Sequence, residues 1–439
     1  MAVTVIRSVL LFDGESWKPE STVVFDSEKG VIVAVYNKDK GSKGPAVSKA
    51  TVIDGTGHTL LPGLIESHMH AHDGHLPKGR DVSFNLRSAL RCGITTCCDM
   101  HSSPDIIHKL RQKVSEGKRM VENGSLESSM ADLKSCLWAA TIDGGWPKPV
   151  VLGPDPSDEQ RAFVASWPNV TPENAAEFVR QQKAAGADYI KLMQEDGTCM
   201  AMPEGTIPPA SAEVQEAVVK AARKQGLVVV GHALSANNTE LLLQAGVDGL
   251  THTFIDKPLP ESLLKLYKQT GSFVIPTLVV LSSLTAEEQQ RRERFADLAR
   301  QNGVIDDFSH GIMKEALKVA SAEASVGYAF DTLRRFKDEG IDILAGTDSV
   351  AGLQGTAVGP SMWMELDMYV EKCGMSIQEA LRSATSVPAK RLGFHDRGVI
   401  AQGKRADCVL IKGHVSDGLH RLWERDGVAA VWKEGLKVL

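Results

Sequence analysis

The middle of the chain repeats one pattern of apolar and polar positions. An amphipathic stretch ends near a glycine, and a short apolar run without alternation follows it. A glycine just past a helix accepts the left-handed conformation at no steric cost, and such runs are typical of strands buried on both faces. The glycines that open these runs are Gly93, Gly186, Gly226, Gly246, Gly271 and Gly340. The repeat predicts helices that alternate with parallel strands.

Two more apolar segments complete the predicted set of parallel strands. One of them leads into His68, and the other lies near residues 137–142. Together with the six runs they make eight strands, which would close as a (β/α)8 barrel of TIM type. The alternative is an open doubly wound sheet. It is disfavoured because no glycine-rich dinucleotide fingerprint follows the first strand.

The two ends of the chain carry a different pattern. Residues 1–57 and 397–439 alternate short apolar segments with turns, which is typical of short β-strands. We expect both ends to form one small β-sandwich beside a barrel of residues 58–396. Within the barrel, residues 282–340 are mostly helical and charged, which predicts an extended crossover between the seventh and eighth strands.

Composition narrows the range of partners. The chain has 439 residues, 43% of them hydrophobic and 24% charged, and a net charge of -6. These values are ordinary for a globular protein and do not favour nucleic acid or an anionic membrane as partner. The seven cysteines show no disulfide spacing, so we expect reduced thiols and a cytoplasmic location. A homo-oligomer is compatible with the sequence.

The predicted strand ends carry side chains that bind metals. His68 and His70 lie two residues apart, so both imidazoles project from one face of a strand. The later strands end at Lys191, His232, His252 and Asp348. One buried histidine is usually a satisfied core residue, but accidents at six equivalent positions are implausible. Because active sites of such barrels lie at the carboxyl ends of the strands, the set predicts a metal site.

These segments resemble the amidohydrolase superfamily over almost the whole chain. PGLIESHMH, AGADYIKLM, GHA, THTF, PTL and GTDS follow the order of the family's strand motifs, with Glu66 where aspartate is usual. The stretch IQEALRSATSVPAKRLGFHDRGVIAQGKRADCVLI resembles the return into the family's small sandwich. The lysine in the D-x-I-K pattern resembles the branch that contains ochratoxinase and the Xaa-Pro dipeptidases.

The resemblance implies a dinuclear centre with two divalent ions, usually Zn²⁺, bridged by a carbamylated Lys191. The implied ligands of one ion are His68, His70, Lys191 and Asp348. The implied ligands of the other are Lys191, His232 and His252. A hydroxide shared by the ions would attack the substrate, and Asp348 would take its proton and pass it to the leaving nitrogen.

The chain departs from this branch after the third strand. Relatives often have T-x-x-G-G-H there, but the segment ATIDGGWPKP has Trp146 in place of the histidine. Tryptophan offers a large apolar face and one donor, which predicts substrates with an aromatic or bulky apolar group. Packing alone is the other interpretation of Trp146. His72 and His101 are further candidates for substrate contact, against a solvent-facing position for His72 and a capping role for His101.

The expected activity is hydrolysis of an amide-type C–N bond in a small molecule. N-acyl amino acids and dipeptide-like amides are the expected substrates. A lactonase, a deaminase or a carbon–carbon bond enzyme such as a decarboxylase could use the same site, because a fold does not determine a substrate. A non-catalytic scaffold is the remaining alternative. Such a protein would be expected to lose ligands, whereas all six are present.

Overall fold

Strands and helices alternate through most of the computed structural model, which describes residues 3–37, 50–71, 81–122 and 129–439. The strands are β1 (Val3–Phe12), β2 (Trp17–Asp26), β3 (Val31–Tyr36), β4 (Thr51–Asp54), β5 (His58–Pro62), β6 (Leu64–His70), β7 (Ile94–Asp99), β8 (Asp132–Ser135), β9 (Ile190–Met193), β10 (Val229–His232), β11 (Gly249–Thr251), β12 (Phe273–Ile275), β13 (Ser349–Val350), β14 (Cys408–Lys412), β15 (Val428–Lys433) and β16 (Leu436–Lys437). The helices are α1 (Ser83–Arg91), α2 (Pro104–Glu122), α3 (Lys148–Leu152), α4 (Asp158–Ala165), α5 (Ala175–Ala184), α6 (Ala212–Lys224), α7 (Ala236–Ala245), α8 (Glu261–Thr270), α9 (Leu278–Leu284), α10 (Gln289–Gln301), α11 (Asp307–Lys314), α12 (Val326–Asp338), α13 (Pro360–Glu371), α14 (Ile377–Ser383) and α15 (Ser386–Arg391).

The glycines between helices and strands adopt the conformation that the sequence predicts. All six have a positive φ, between 66° and 91°. Gly246 and Gly271 are the left-handed caps of α7 and α8, where each ends its helix just before a strand. A residue with a Cβ would be strained there, because this region is disfavoured for side chains other than glycine. The helix–glycine–strand prediction is therefore confirmed at five of the six glycines. It is wrong at Gly340, because the residues after it make only an isolated bridge at Ile343 and the strand β13 begins only at Ser349.

The strands in the middle of the chain form two parallel sheets. One has the order β12–β11–β10–β9 and the other β13–β6–β7–β8. Backbone hydrogen bonds also connect the two sheets. In each case an edge strand of the first sheet bonds to a segment that lies next in the chain to an edge strand of the second. Met193 N donates to Ala140 O (3.0 Å), and Leu344 N donates to Val274 O (2.9 Å). These segments follow β8 and precede β13, respectively, so the links lie at both edges of the pair of sheets.

The third parallel strand lies earlier than the sequence predicts. The expected strand near residues 137–142 is wrong, because β8 ends at Ser135. Leu137 has a φ of 59°, which is rare outside glycine and interrupts an extended strand. Ala140 then makes only an isolated parallel bridge to Leu192. The segment after β8 is therefore a loop that turns towards β9 and carries Trp138 and Trp146.

Strands from both ends of the chain form one eight-stranded sheet. Its order is β16–β15–β14–β5–β1–β2–β3, and β4 pairs with β1. β14 pairs antiparallel with β5, which joins the C-terminal strands directly to the N-terminal ones. Apolar side chains of this sheet, including Phe25 and Trp432, form a separate core. The prediction that the two ends of the chain associate is thus confirmed, because their strands pair in one sheet.

A largely buried group of charges, in which the Asp132 side chain is 20% exposed, connects this sheet to the parallel strands. Asp132 of β8 accepts hydrogen bonds from Arg397 (3.0 Å) and contacts Arg405 and Lys433 (2.5 Å for Lys433). Burial acts to raise the pKa of Asp132, but Lys433, Arg405 and Arg397 hold it well below its usual value. The carboxylate therefore stays ionised and holds the C-terminal segment against β8.

Helices α9 to α12 lie between β12 and β13, which confirms the predicted helical crossover before the last parallel strand. They contribute to the large apolar core, for example through Leu281, Phe295 and Phe336. The seven cysteines are buried and unpaired. Among the described helices, none combines the length and apolar character that crossing a membrane requires.

Candidate metal centre

Five strands bring the predicted metal-binding side chains to one end of the parallel sheets. His68 and His70 lie at the end of β6, Lys191 in β9, His232 at the end of β10, His252 directly after β11 and Asp348 directly before β13. His68, Lys191, His232 and His252 are each at most 5% exposed. The side chains of His70 and Asp348 are 14% and 17% exposed. The cluster is thus closed on its inner side and opens towards solvent at His70 and Asp348.

Asp348 lies at the centre of the contacts in this cluster. Its Oδ1 atom is 3.2 Å from His68 Nε2 and 2.9 Å from His70 Nε2. Its Oδ2 atom is 4.0 Å from His252 Nε2. Burial acts to raise the pKa of Asp348, but His68 and His70 hold it well below its usual value. Asp348 is therefore a carboxylate, and it contacts histidines from two strands.

The remaining members complete the cluster on the other side. His232 Nδ1 lies 2.9 Å from His252 Nε2. Lys191 is fully buried, and its Nζ atom donates to Thr251 Oγ1. Burial lowers the pKa of Lys191 to about 8, against an opposing effect of Asp348. Consequently about a tenth of this lysine is an uncharged amine at pH 7, and about half of it at pH 8.

The histidines differ in charge according to their surroundings. Burial, followed by the charge of Lys191, lowers the pKa of His68 to about 3. Burial also lowers the pKa of His232, and burial together with His232 places the pKa of His252 well below its usual value. Burial acts in the same direction on His70, but the hydrogen bond to Asp348 raises its pKa overall. Three of the four imidazoles are therefore neutral at pH 7 and present a nitrogen lone pair.

This donor set fits divalent metal ions. Metal ligation requires neutral imidazoles and ionised carboxylates, and the cluster supplies both. The ligand atoms of His68, His70 and Asp348 all lie within 4.8 Å of one another. Histidine nitrogens and carboxylate oxygens are ligands of several divalent ions, zinc among them. His68, His70 and Asp348 thus fit a divalent metal ion.

Glu66 ties two ligand-bearing segments together. Its Oε1 atom accepts hydrogen bonds from His68 N (3.0 Å) and Thr347 N (2.9 Å), and its Oε2 atom accepts one from Thr347 Oγ1 (2.9 Å). Burial raises the pKa of Glu66 to about 8. Sequence reasoning singled out this position only as a departure from the usual aspartate. In the structure it holds the end of β6 against the residue that precedes Asp348.

Two further residues contact the outer nitrogens of the histidine pair, and sequence reasoning did not find them. Glu195 Oε2 lies 3.5 Å from His232 Nε2, and Thr277 Oγ1 lies 2.5 Å from His252 Nδ1. Both residues are buried. Thr277 lies in the PTL motif, which could have indicated it. Glu195 follows β9 without any motif of its own.

The predicted substrate-contacting residues have different surroundings. The Trp146 ring is half-buried and stacks on His232, with ring centroids 5.3 Å apart and an angle of 18° between the planes. His101 is buried, its ring lies between Trp138 and Trp167, and its Nδ1 atom accepts a hydrogen bond from Ala139 N (3.0 Å). Trp146 thus borders the cluster, while the His101 ring packs against two tryptophans and its backbone oxygen lies 3.2 Å from His70 Nδ1. His72 lies outside the described residues.

Fold and site together define an α/β protein of TIM-barrel type with a candidate metal centre at the strand ends. The model of the amidohydrolase family matches residues 59–438, and the chain belongs to this family of enzymes. The ochratoxinase of Aspergillus niger is 24% identical over 266 residues, which cover 60% of this chain and 48% of that protein. The aligned part therefore spans about half the length of this relative.

Solved structures agree with this assignment of the fold. A Xaa-Pro dipeptidase with bound methionine has a TM-score of 0.73 and 24% identity, with 99% of both chains covered. Phenylurea hydrolase B has a TM-score of 0.75 and 20% identity, with 99% of this chain and 96% of that chain covered. The A. niger ochratoxinase structure has a TM-score of 0.71. The likeness extends over the whole chain and confirms a fold of TIM-barrel type.

Proposed function

We propose that this protein is a metal-dependent hydrolase that cleaves an amide-type C–N bond in a small molecule. The observation that carries the proposal is the single cluster in which Asp348 contacts His68 and His70, at 3.2 and 2.9 Å. A Xaa-Pro dipeptidase and a phenylurea hydrolase share the fold, and their names describe enzymes that act on C–N bonds. This supports a small amide as substrate, such as an N-acyl amino acid or a dipeptide-like molecule.

The proposed cofactor is a pair of divalent ions, zinc by the chemistry of the ligands. The residues that would hold one ion are His68, His70, Lys191 and Asp348. The residues that would hold the other are Lys191, His232 and His252. When bound, two such ions polarise a carbonyl and lower the pKa of a water towards about 7.

Lys191 is the residue proposed to serve both ions. Its pKa of about 8 makes the uncharged amine available without a strong base. The amine nitrogen forms a bond to the carbon of carbon dioxide, and one proton leaves to solvent. The resulting carbamate would spread one negative charge over two oxygens and could therefore serve as a ligand of both ions. An ammonium at the same position would repel cations and offers no acceptor.

Asp348 is the residue proposed to move the proton. It is ionised, partly exposed and next to the ligand histidines. We propose that its carboxylate takes a proton from the attacking water and passes it to the leaving nitrogen. Its φ of 54° lies in the left-handed region, and such conformations cluster at functional positions.

Trp146 is proposed to contact the substrate. The ring lies on His232, so the indole presents an apolar face at this border of the cluster. A ring on the substrate could stack on the indole, which contributes about 0.5 to 1.5 kcal/mol beyond the buried area. We therefore propose a preference for aromatic or bulky apolar groups. His72 stays a candidate, while the packing of His101 favours a structural role.

We also propose that the two parallel sheets form one closed eight-stranded barrel and that the sheet from the chain ends folds into a sandwich. The backbone hydrogen bonds of Ala140 and Val274 support the first proposal. The second is supported by β1, whose first half pairs with β4 and whose last residues pair with β5. A strand of this kind can pass between two layers. The division into 1–57, 58–396 and 397–439 is retained as part of this proposal.

The activity can be tested by a hydrolysis screen of the zinc-loaded protein. The panel contains N-acyl amino acids, dipeptides, lactones and aminated heterocycles. We expect release of amine from the amides, loss of this activity with a chelator and recovery with added zinc. Turnover of lactones or heterocycles without any amide hydrolysis would overturn the amide assignment, and absence of any turnover would favour a scaffold.

A further inference from the structure

The rings of His232 and His252 belong to a chain of polar contacts with a different group at each end. Glu195 Oε2 is 3.5 Å from His232 Nε2, and Thr277 Oγ1 is 2.5 Å from His252 Nδ1. Between them, His232 Nδ1 and His252 Nε2 are 2.9 Å apart. The two shorter contacts each need one hydrogen, whereas Glu195 acts on His232 Nε2 through its negative charge, because that nitrogen has no well-formed hydrogen bond. Glu195 and Thr277 therefore decide which nitrogen of each ring carries the hydrogen.

At one end of this series of contacts, the Glu195 carboxylate can only accept hydrogen bonds. Its Oε1 atom accepts from Asp196 N (3.1 Å) and Gly197 N (2.8 Å), and its Oε2 atom accepts from Leu234 N (3.3 Å). A ring nitrogen with a lone pair would face these oxygens unfavourably. His232 Nε2 therefore carries the hydrogen, and the lone pair of His232 lies on Nδ1, on the side of the ligand cluster.

The direction of the next two contacts follows from this. Because His232 Nδ1 has a lone pair, the ring-to-ring contact requires a hydrogen on His252 Nε2. His252 Nδ1 then has the lone pair and accepts a hydrogen bond from the Thr277 hydroxyl. Hydrogen bonds thus run from Thr277 to His252 and from His252 to His232, and the hydrogen on His232 Nε2 faces the Glu195 carboxylate.

A cation between the two rings needs a lone pair from each of them. His232 already presents one, but His252 does so only when its hydrogen moves from Nε2 to Nδ1. A hydroxyl can either donate or accept, so Thr277 can partner either tautomer of His252, whereas a carboxylate holds His232 in one tautomer. We propose that Glu195 and Thr277 are positioning residues: Glu195 fixes the tautomer of His232, and Thr277 permits the change of tautomer in His252 on metal binding. The metal part of this inference rests on the proposed function.

The tautomers can be read directly by NMR of the full chain labelled with 15N-histidine, stripped of metal by a chelator and then loaded with zinc. Long-range proton–nitrogen correlations distinguish a hydrogen on Nδ1 from one on Nε2. For the wild type we expect His232 to keep its hydrogen on Nε2 in both samples. We expect His252 to move its hydrogen from Nε2 to Nδ1 when zinc is added.

Glu195→Gln tests the fixed end, because an amide can turn its NH₂ group towards the ring. We expect a mixture of His232 tautomers in this variant, and the second zinc ion to bind about 10- to 100-fold more weakly, as for other groups that orient metal ligands. The first ion, next to His68 and His70, should bind as in the wild type. Glu204→Gln makes the same change at an exposed glutamate of the following segment and should alter neither property.

Thr277→Val and Thr277→Ser test the other end. Valine keeps the shape without the hydroxyl, and we expect weaker binding of the second ion with an unchanged His232 tautomer. Serine keeps the hydroxyl and should restore the affinity. Wild-type tautomers and wild-type affinity for the second ion in both Glu195→Gln and Thr277→Val would overturn this inference. A wild type that binds no zinc would overturn the proposed function, while the tautomer of His232 would still test Glu195.

Discussion

At the scale of single residues, the cluster at the strand ends has one group that must remain charged and several that must not. Asp348 stays ionised because two histidines contact it, while burial keeps His68, His232 and His252 neutral. Lys191 lies between these cases, with a pKa of about 8. These differences in charge support separate proposed roles for Asp348, the histidines and Lys191, so each role can be tested by its own substitution.

Asp348→Asn removes the proton acceptor and keeps the shape of the side chain. We expect kcat to fall by about 10² to 10⁴, which is the usual contribution of general acid–base catalysis. The measurement is steady-state kinetics on the best amide of the panel, with circular dichroism to verify folding. Asp342→Asn serves as control, because Asp342 pairs with Arg391 (2.6 Å) at the start of the same segment. A near-normal kcat in Asp348→Asn would exclude Asp348 as the base.

Trp146→Ala removes the apolar face beside His232. We expect KM for substrates with aromatic groups to rise roughly two- to tenfold, in line with the energy of a lost aromatic stack. Trp146→His should shift the preference towards smaller polar or carboxylate-bearing amides. Metal content should not change in either variant. Trp17→Ala, which removes an indole from the chain-end sheet, is the control, and wild-type preferences in both Trp146 variants would reduce Trp146 to packing.

Sequence reasoning found the residues that the strand ends carry and missed those that hold them. Each ligand candidate follows an apolar run, so its type and position stand out. Glu195 follows β9 in a polar loop, where an acidic residue is unremarkable, and its contact with His232 depends on how β9 and β10 lie side by side. Such a contact between neighbouring loops cannot be read from one segment.

At the scale of elements, the start of α9 depends on a buried acid from α13. Glu365 accepts hydrogen bonds from Leu278 N and Val279 N, both at 2.9 Å. Burial raises the pKa of Glu365 to about 8, although the two backbone donors oppose this. The same helix start positions Thr277 next to His252, so this cap also supports the candidate metal centre.

Glu365 makes stability depend on pH. Its pKa is higher in the folded than in the unfolded protein, so its stabilising contribution is complete below about pH 4.5 and is lost as pH rises through about 8. The effect amounts to about 1.4 kcal/mol for each unit of pKa difference. Glu365→Gln cannot titrate, so its free energy of unfolding should fall less between pH 5 and 8 than that of the wild type. The free energies are measured by denaturant titration at each pH. An equal fall in the free energy of unfolding between pH 5 and 8 in both proteins would contradict a raised pKa of Glu365.

The third parallel strand shows why one element was misplaced. β8 contains Asp132 and Lys134, which look like surface residues in the sequence. Both charges are used in tertiary ion pairs, Lys134 with Asp188 at 3.0 Å and Asp132 with Lys433 at 2.5 Å. The segment after β8 is more apolar, so the sequence predicts the strand there, but Leu137 has a left-handed backbone conformation that interrupts a strand. Hydrophobicity alone could not reveal partners that lie far away in the chain.

At the scale of the whole molecule, the ends of the chain are held to the parallel strands by the ion group around Asp132. Asp132→Asn leaves Arg397, Arg405 and Lys433 without their shared carboxylate. We expect the free energy of unfolding to fall by about 3 kcal/mol, the lower end of the cost of breaking a buried ion pair. Chemical denaturation at pH 7 measures this. The exposed Asp338→Asn is the control, and equal stability of the two variants would contradict a role of Asp132 in joining the parts.

The central claim is a dinuclear centre shared by Lys191, and metal content tests it most directly. Elemental analysis of zinc-loaded, desalted protein should give about two ions per chain, because six ligands exceed what one tetrahedral ion needs. Lys191→Ala should retain clearly fewer ions, since both lose a ligand, whereas the exposed Lys220→Ala should retain two. One ion or fewer in the wild type, or full metal content in Lys191→Ala, would contradict the account.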